Sequence, residues 1–357
     1  MIRIRTGRVT GIGRSWHGAV ELDVVVEGAP GLALAYPALV GSPEVGDDVV
    51  LNTTAVSLGL GTGGYHLVVA CPARPPADFA GPGHLVKARY TPLQATVLGV
   101  DEEASPHRAV MESAASLDGL PVVVADLHSA LPAVVVGIMA ARPDARIVYV
   151  MTDGGTLPIW FSRSVAALRS RSLIAATVTV GQAFGGDHET VSLHSGLLAA
   201  YAVEHADVVV VTQGPGNLGV AMPWGFSGVA AGDAINAVAA LDGTPVASLR
   251  ISDADPRERH RGISHHSRTA YGRVALARAR IVVPLLADPL GAAVEADLRE
   301  SGIADRHDVI RYDATGLLTA LRDSNLALST MGRDLNQDPA YFIAAAAAGR
   351  YAAELPR

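Results

Sequence analysis

The sequence predicts an α/β protein: a small N-terminal all-β, barrel-like domain over residues 1–85, followed by a doubly wound, mainly parallel α/β domain over residues 86–357. Three observations carry this expectation. Short runs cut by regularly spaced turn residues fill the N-terminal stretch, as in small barrels and sandwiches. From about residue 90, apolar β-branched runs alternate with helix-length segments, which implies right-handed crossovers. Those runs are apolar throughout instead of alternating, the mark of strands buried on both faces.

In the first domain, turn signals at residues 10–13, 27–30, 45–48 and 59–64 separate runs at 19–26, 49–52 and 66–70. Residues 71–83 are rich in Pro and Gly and read as a linker or wrapped loop. In the second domain, strands are expected at 121–125, 146–151, 175–180, 207–211, 245–251, 281–286 and 309–312. Helices are expected at 106–117, 131–141, 158–171, 191–206, 228–241, 268–279, 291–301, 317–323 and 339–353. The alanine tract 344–348 suits the last of these, because alanine is the strongest helix former.

Composition narrows the function classes. The chain is 49% hydrophobic and 18% charged, which excludes disorder. Its net charge of −7 argues against a general nucleic-acid surface. Cys71 is the single cysteine, so an intrachain disulfide framework and a cysteine zinc site are excluded. No secretory h-region is visible, and the apolar stretches are too short for a bilayer. A cytoplasmic protein without membrane contact is expected. Lys87 is the only lysine and no phosphate-loop motif is present, so P-loop ATPase chemistry is excluded.

Ligands of open parallel sheets bind outside the carboxyl ends of the strands. Five expected strands run into polar clusters there, beginning at Asp126, Thr152, Gly185, Thr212 and Ser252. Neutral imidazole and carboxylate oxygen suit zinc or manganese, and such an ion activates water. Asp126, His128, Asp153, Asp187 and His188 are therefore the expected metal ligands, and His128, His188 and His266 the expected catalytic residues. Asp187 and the glycines before it also suit a helix cap and a tight turn.

Gly214, Gly216 and Asn217 form a turn whose backbone N–H groups suit an anion, although the same turn serves plain chain reversal. The long loop 252–268 brings Arg257, Arg261 and Arg268 as expected anion-binding residues. A Ser264 or Ser267 cap would start a helix beside His265 and His266. In an extended segment those two neighbours point to opposite sides, so at most one of them is expected to face a given site.

Two resemblances follow from these residues. Gly185-Gly186-Asp187-His188 is similar to a stretch of the binuclear-manganese ureohydrolases, as are Asp126-Leu127-His128 and residues 252–256 to their acidic strand-end elements. The order of the elements is reversed here, and the all-β N-terminus is foreign to that family. The likeness is one of metal-friendly residue types. Over its length the chain resembles an uncharacterised bacterial, actinobacterial-type family of unknown function, DUF3866. Residues 45–54, 58–64, 128–132, 213–217 and 262–266 carry the likeness, which implies no activity.

The expected function is metal-assisted hydrolysis of a small phosphorylated or carboxylated substrate at the strand edge, with homo-oligomerisation allowed. The alternative is a metal-free regulatory module that binds a nucleotide or other anion.

Overall fold

Alternating apolar residues and well-placed turns close the N-terminal strands on themselves. In the computed structural model, which describes residues 1–356, β1 (Ile4–Trp16), β2 (Ala19–Val26), β3 (Ala29–Ala35), β4 (Asp48–Asn52) and β5 (Tyr65–Ala70) form a closed barrel ordered β1-β2-β3-β5-β4. Short helices α1 (Pro37–Val40) and α2 (Thr54–Ser57) flank β4 in the chain. The β3–β5 pairing is parallel and the other pairings are antiparallel. Glu27 and Gly28 take φ of 52° and 82° in the two-residue turn joining β2 to β3, the geometry that matches strand twist. Val9, Leu22, Val24, Val49, Leu51 and Val68 fill the interior. Gly7 keeps that interior tight, since a Cβ there would lie 2.6 Å from Leu51 Cδ1. The hairpin β6 (Leu85–Lys87) and β7 (Ala95–Val97) follows the barrel.

The chain divides into two compact units: Met1–Leu98 with Trp160–Ala166, and Gly99–Ile159 with the chain from Ala167. Within the first unit, Trp16 Nε1 donates to the Trp160 carbonyl at 2.6 Å.

The second unit is built on eight parallel strands. They are β8 (Pro121–Ala125), β9 (Ile147–Thr152), β10 (Ala176–Thr179), β11 (His188–Glu189), β12 (Val208–Gln213) and β13 (Thr244–Ser248), then β16 (Arg280–Pro284) and β17 (Asp308–Tyr312). A small antiparallel pair, β14 (Ile251–Ser252) and β15 (Gly262–Ile263), interrupts the series. The sheet order is β11-β10-β9-β12-β8-β13-β16-β17. The helices along this part of the chain are α3 (Arg108–Ser113), α4 (Leu131–Ala141), α5 (Arg163–Ser170, whose residues 163–166 belong to the first unit), α6 (Leu193–Ala202), α7 (Ala230–Ala240), α8 (His265–Thr269), α9 (Leu290–Glu300), α10 (Ile303–Arg306), α11 (Leu317–Asp323) and α12 (Pro339–Glu354).

After β8 the chain moves two places one way through α4 to β9; after β12 it moves two places the other way through α7 to β13. Right-handed crossovers therefore put α4 and α7 on opposite faces. Adjacent strands β8 and β13 lead away in opposite directions, so a topological switch point lies at their carboxyl ends. Val122, Val124, Val209 and Val211 share a core with Leu197 of α6 and Ala234, Ile235 and Val238 of α7. α4 packs on α12 through small residues: a Cβ on Gly137 would lie 1.9 Å from the Ala346 carbonyl oxygen. No helix among the described residues is long and apolar enough to cross a membrane.

Element boundaries differ from expectation at three informative places. The run 245–251 leaves the sheet after Ser248, and its end pairs with β15 as β14. The segment 252–268 is a folded excursion with its own strand pair, a single turn at 258–260 and a capped helix. Residues 188–189 do not trail β10 at its carboxyl end; they form the edge strand β11, with His188 beside Val178.

Candidate functional site

β12, β8 and β13 are neighbours, so the residues following them meet, with about 4.8 Å between strands. β8 is followed by Asp126, which is 3% exposed and whose Oδ2 has no hydrogen-bond partner. β12 ends in Gln213, whose Nε2 donates to the Asp126 carbonyl at 2.7 Å and to Asn217 Oδ1 at 3.0 Å. Asn217 Oδ1 also accepts from Ser227 Oγ (3.0 Å) and from the Gly228 amide (3.2 Å). Gly228 must lack a side chain, because a Cβ would approach the Asp126 carbonyl oxygen to 2.9 Å. A small cavity opens here, lined by Asp126, Thr152, Gln213, Ser227 and Gly228 among others. Burial pushes the Asp126 carboxyl up to about 6, against the opposing charge of Arg250.

Three histidines converge beside this carboxylate. The β14–β15 pair folds the chain back so that the 258–260 turn comes next to the start of α8. Ser264 caps α8, its Oγ accepting from the His266 amide at 3.2 Å. Each of His260, His265 and His266 then offers one ring nitrogen, all within 4.8 Å of one another. The His260 Nδ1 edge is held by Ser264 Oγ at 2.7 Å. His265 Nε2 is buried without a partner. The His266 ring stacks on Phe226 at 3.9 Å and 5°. Its Nδ1 lies 3.4 Å from Asn217 Nδ2 and 4.0 Å from Asp126 Oδ2. Both His265 and His266 reach the cluster because they open a helix, where successive side chains diverge by about 100° instead of alternating across a strand.

Burial lowers the pKa of all three rings, that of His260 to about 3, with further lowering from Arg250 and, for His266, from His265. They are neutral imidazoles at ordinary pH, the form that ligates metals. An arginine–aspartate network supports the loop. Asp255, fully buried, accepts from Arg257 at both oxygens and from Arg250 and Arg333 at Oδ2. Burial alone would raise the Asp255 pKa, but the bonds and charge of Arg257 and the charge of Arg333 hold it well below the carboxylate range.

Of the other residues singled out by sequence, His128 stays at the ends of β8 and β12 against the Gln213 backbone and the rest are dispersed. His128 is buried with Nδ1 3.0 Å from the Tyr149 hydroxyl, which itself meets Thr212 Oγ1 at 2.9 Å. Burial pushes this histidine down to about 4. Asp153 accepts from the Gln182 amide at 2.9 Å. Asp187 turns back to the start of β10, taking the Thr177 amide and hydroxyl and Arg169. His188 pairs through Nε2 with Glu204 at 2.6 Å. It sits on an edge strand four places from β8, about 19 Å across the sheet. The expected gathering of His128, His188 and His266 at one rim therefore does not occur, because residues 187–189 start a new strand.

Gly214 packs against Thr156, where a Cβ would lie 2.4 Å from the carbonyl oxygen, and Gly216 takes φ of 88°. Arg257 is spent on Asp255, Arg261 Nε reaches the Asp255 carbonyl at 3.0 Å, and Arg268 pairs with Asp297 and Glu300. His260 and His265 fall in the candidate loop 252–268 and Gln213 opens the candidate turn, but the expected site takes only His266 of the loop's histidines and Gly214, Gly216 and Asn217 of the turn; Arg250 is not among the candidates. One signal for Arg250 was present: an arginine inside an otherwise apolar strand-like run has to be held by something.

The fold and this cluster define a class: a barrel unit and a doubly wound parallel-sheet unit whose central strands end in a buried histidine, carboxylate and carboxamide group. Residues 32–349 match the family described as Protein of unknown function (DUF3866), and the chain belongs to that family. No protein of curated function matches it.

Proposed function

We propose that the protein is a metal-assisted hydrolase of a small anionic substrate, with His260, His265 and His266 holding a divalent zinc or manganese ion. The observation that carries this reading is the meeting of three neutral imidazoles at the switch-point end of the sheet, His260 and His266 buried and His265 half-buried with an orphaned nitrogen. A bound ion would lower the pKa of a water toward neutrality. Asn217 meets the Nδ1 edge of His266 and orients the ring, the usual work of outer groups around a metal. Ser264 does the same for His260. Asp126, the adjacent carboxylate with an unused oxygen, would be the base for a water activated there. The ligand set differs from the one expected from sequence, which drew on Asp153, Asp187 and His188. The bacterial cytoplasmic setting and homo-oligomerisation read from the sequence remain part of this proposal.

Purified protein loaded with zinc or manganese is to be assayed on p-nitrophenyl phosphate and on carboxylate-bearing esters and amides. Turnover that is abolished by a chelator, restored by metal and lost in His265→Ala supports the reading. Turnover indifferent to chelation, or absent from every substrate with metal bound, contradicts it.

A further inference from the structure

Arg250 is a buried cation with too few acceptors. It follows β13, beside β8, and its side chain is 2% exposed. Its one side-chain hydrogen bond runs from Nη2 to Asp255 Oδ2 at 3.2 Å. That oxygen already accepts from Arg257 Nη2 at 2.9 Å and Arg333 Nη2 at 3.0 Å. Arg257 also takes Asp255 Oδ1 at 2.9 Å, and Arg333 has Asp338 as a second partner. One carboxylate thus serves three guanidiniums, and Arg250 has the longest contact. Its Nε and Nη1 make no hydrogen bond to a described residue and are not among the fully enclosed unpartnered atoms, so that edge of the fork is not sealed off. A guanidinium carries five donors in a planar fork, and burying it without acceptors is costly.

The surroundings do not supply the missing acceptor. The Arg250 amide donates to Ser267 Oγ at 3.0 Å and its carbonyl accepts from the Ser264 amide at 2.9 Å, so the residue is tied to the segment that carries His265 and His266, yet neither those rings nor Asp126 is hydrogen-bonded to its guanidinium. The arginines expected from sequence to bind an anion, Arg257, Arg261 and Arg268, are committed elsewhere. A planar fork with one open edge fits the two oxygens of a phosphate or a carboxylate.

We propose that Arg250 is the anion receptor of this unit: its Nε–Nη1 edge takes the oxyanion of a small ligand, phosphate or carboxylate, beside the histidine cluster. The inference deepens the proposed function by naming what grips the substrate, and it rests on that reading only for the place of the site.

The test uses the full-length chain stripped of metal and titrated calorimetrically with sodium phosphate and, separately, sodium acetate. Saturable binding of at least one anion is expected, and the tighter of the two names the ligand group. Arg250→Gln should weaken that binding about tenfold or more, the worth of a charged hydrogen bond. Arg268→Gln, whose guanidinium is taken by Asp297 and Glu300, should stay within about twofold. If Arg250→Gln does not fold, Arg250→Lys keeps the charge but loses the fork and should still weaken binding several-fold. No saturable binding of either anion to the wild type, or unchanged affinity in the folded Arg250 variant, overturns the proposal. Metal content, measured on the same preparation before stripping, separates the two readings. Anion binding lost in Arg250→Gln in a protein that never holds metal would defeat the hydrolase reading alone.

Discussion

Asn217 gathers three donors on a single oxygen, from Gln213, Ser227 and Gly228, and so ties the end of β12 to the loop that enters α7. Asn217→Ala leaves those donors without an acceptor and should cost about 1–3 kcal/mol in urea unfolding. His307 offers a cleaner electrostatic test. Its Nδ1 accepts from the Ala279 amide at 3.2 Å and its Nε2 donates to the Tyr271 carbonyl at 2.7 Å, so the ring is held neutral. Burial lowers its pKa, outweighing the bond to Tyr271. Below about pH 6.5 the unfolded chain binds a proton that the folded chain refuses, so this contribution is present above that pH and is lost as pH falls toward the folded value. His307→Gln should flatten the acid side of the stability–pH curve by up to about 1.4 kcal/mol per pH unit. An unchanged slope would show that His307 is not the titrating group. Residue identity was the least legible layer of the site. An extended segment would let at most one of His265 and His266 face a site; the Ser264 cap, one of the two starts the sequence offers for the next helix, forms and puts both on that helix.

Elements were more legible than residues. Apolar β-branched runs at 121–125 and 207–211 became the central strands β8 and β12 because such runs have no exposed face to give away. The alanine tract of α12 was read as helix from propensity, but its packing role was hidden. Gly137 on α4 and Gly349 on α12 let two backbones touch, each lying where a Cβ would come within about 2 Å of a carbonyl oxygen on the partner helix. Gly137→Ala should therefore destabilise by about 1–3 kcal/mol or more. Gly61→Ala, where nothing lies within 4 Å of the new methyl, should change stability by less than about 0.5 kcal/mol. Equal effects at the two positions would contradict the close-packed helix pair. The failure at residues 185–189 has an element-scale cause. A two-residue edge strand is too short to carry a periodic signal, so its polar residues read as a strand-end loop.

At the scale of the whole molecule, the barrel and the parallel sheet were both legible, because their strand runs differ in pattern, alternating in one and apolar throughout in the other. Strand order was not. Nothing in the sequence says that β12 lies between β9 and β8, or that β11 is an edge, and that order decides which clusters share a site. With the order in place, the cluster centres on β12, β8 and β13 and excludes His188. The measurement that tests this most directly is the metal content of the protein as isolated and of its histidine variants. The account predicts about one equivalent of zinc or manganese per chain, lost in His260→Ala and His265→Ala and retained in His188→Ala. Absence of metal from the wild type under metal-replete expression, or loss in His188→Ala with retention in His265→Ala, would contradict it.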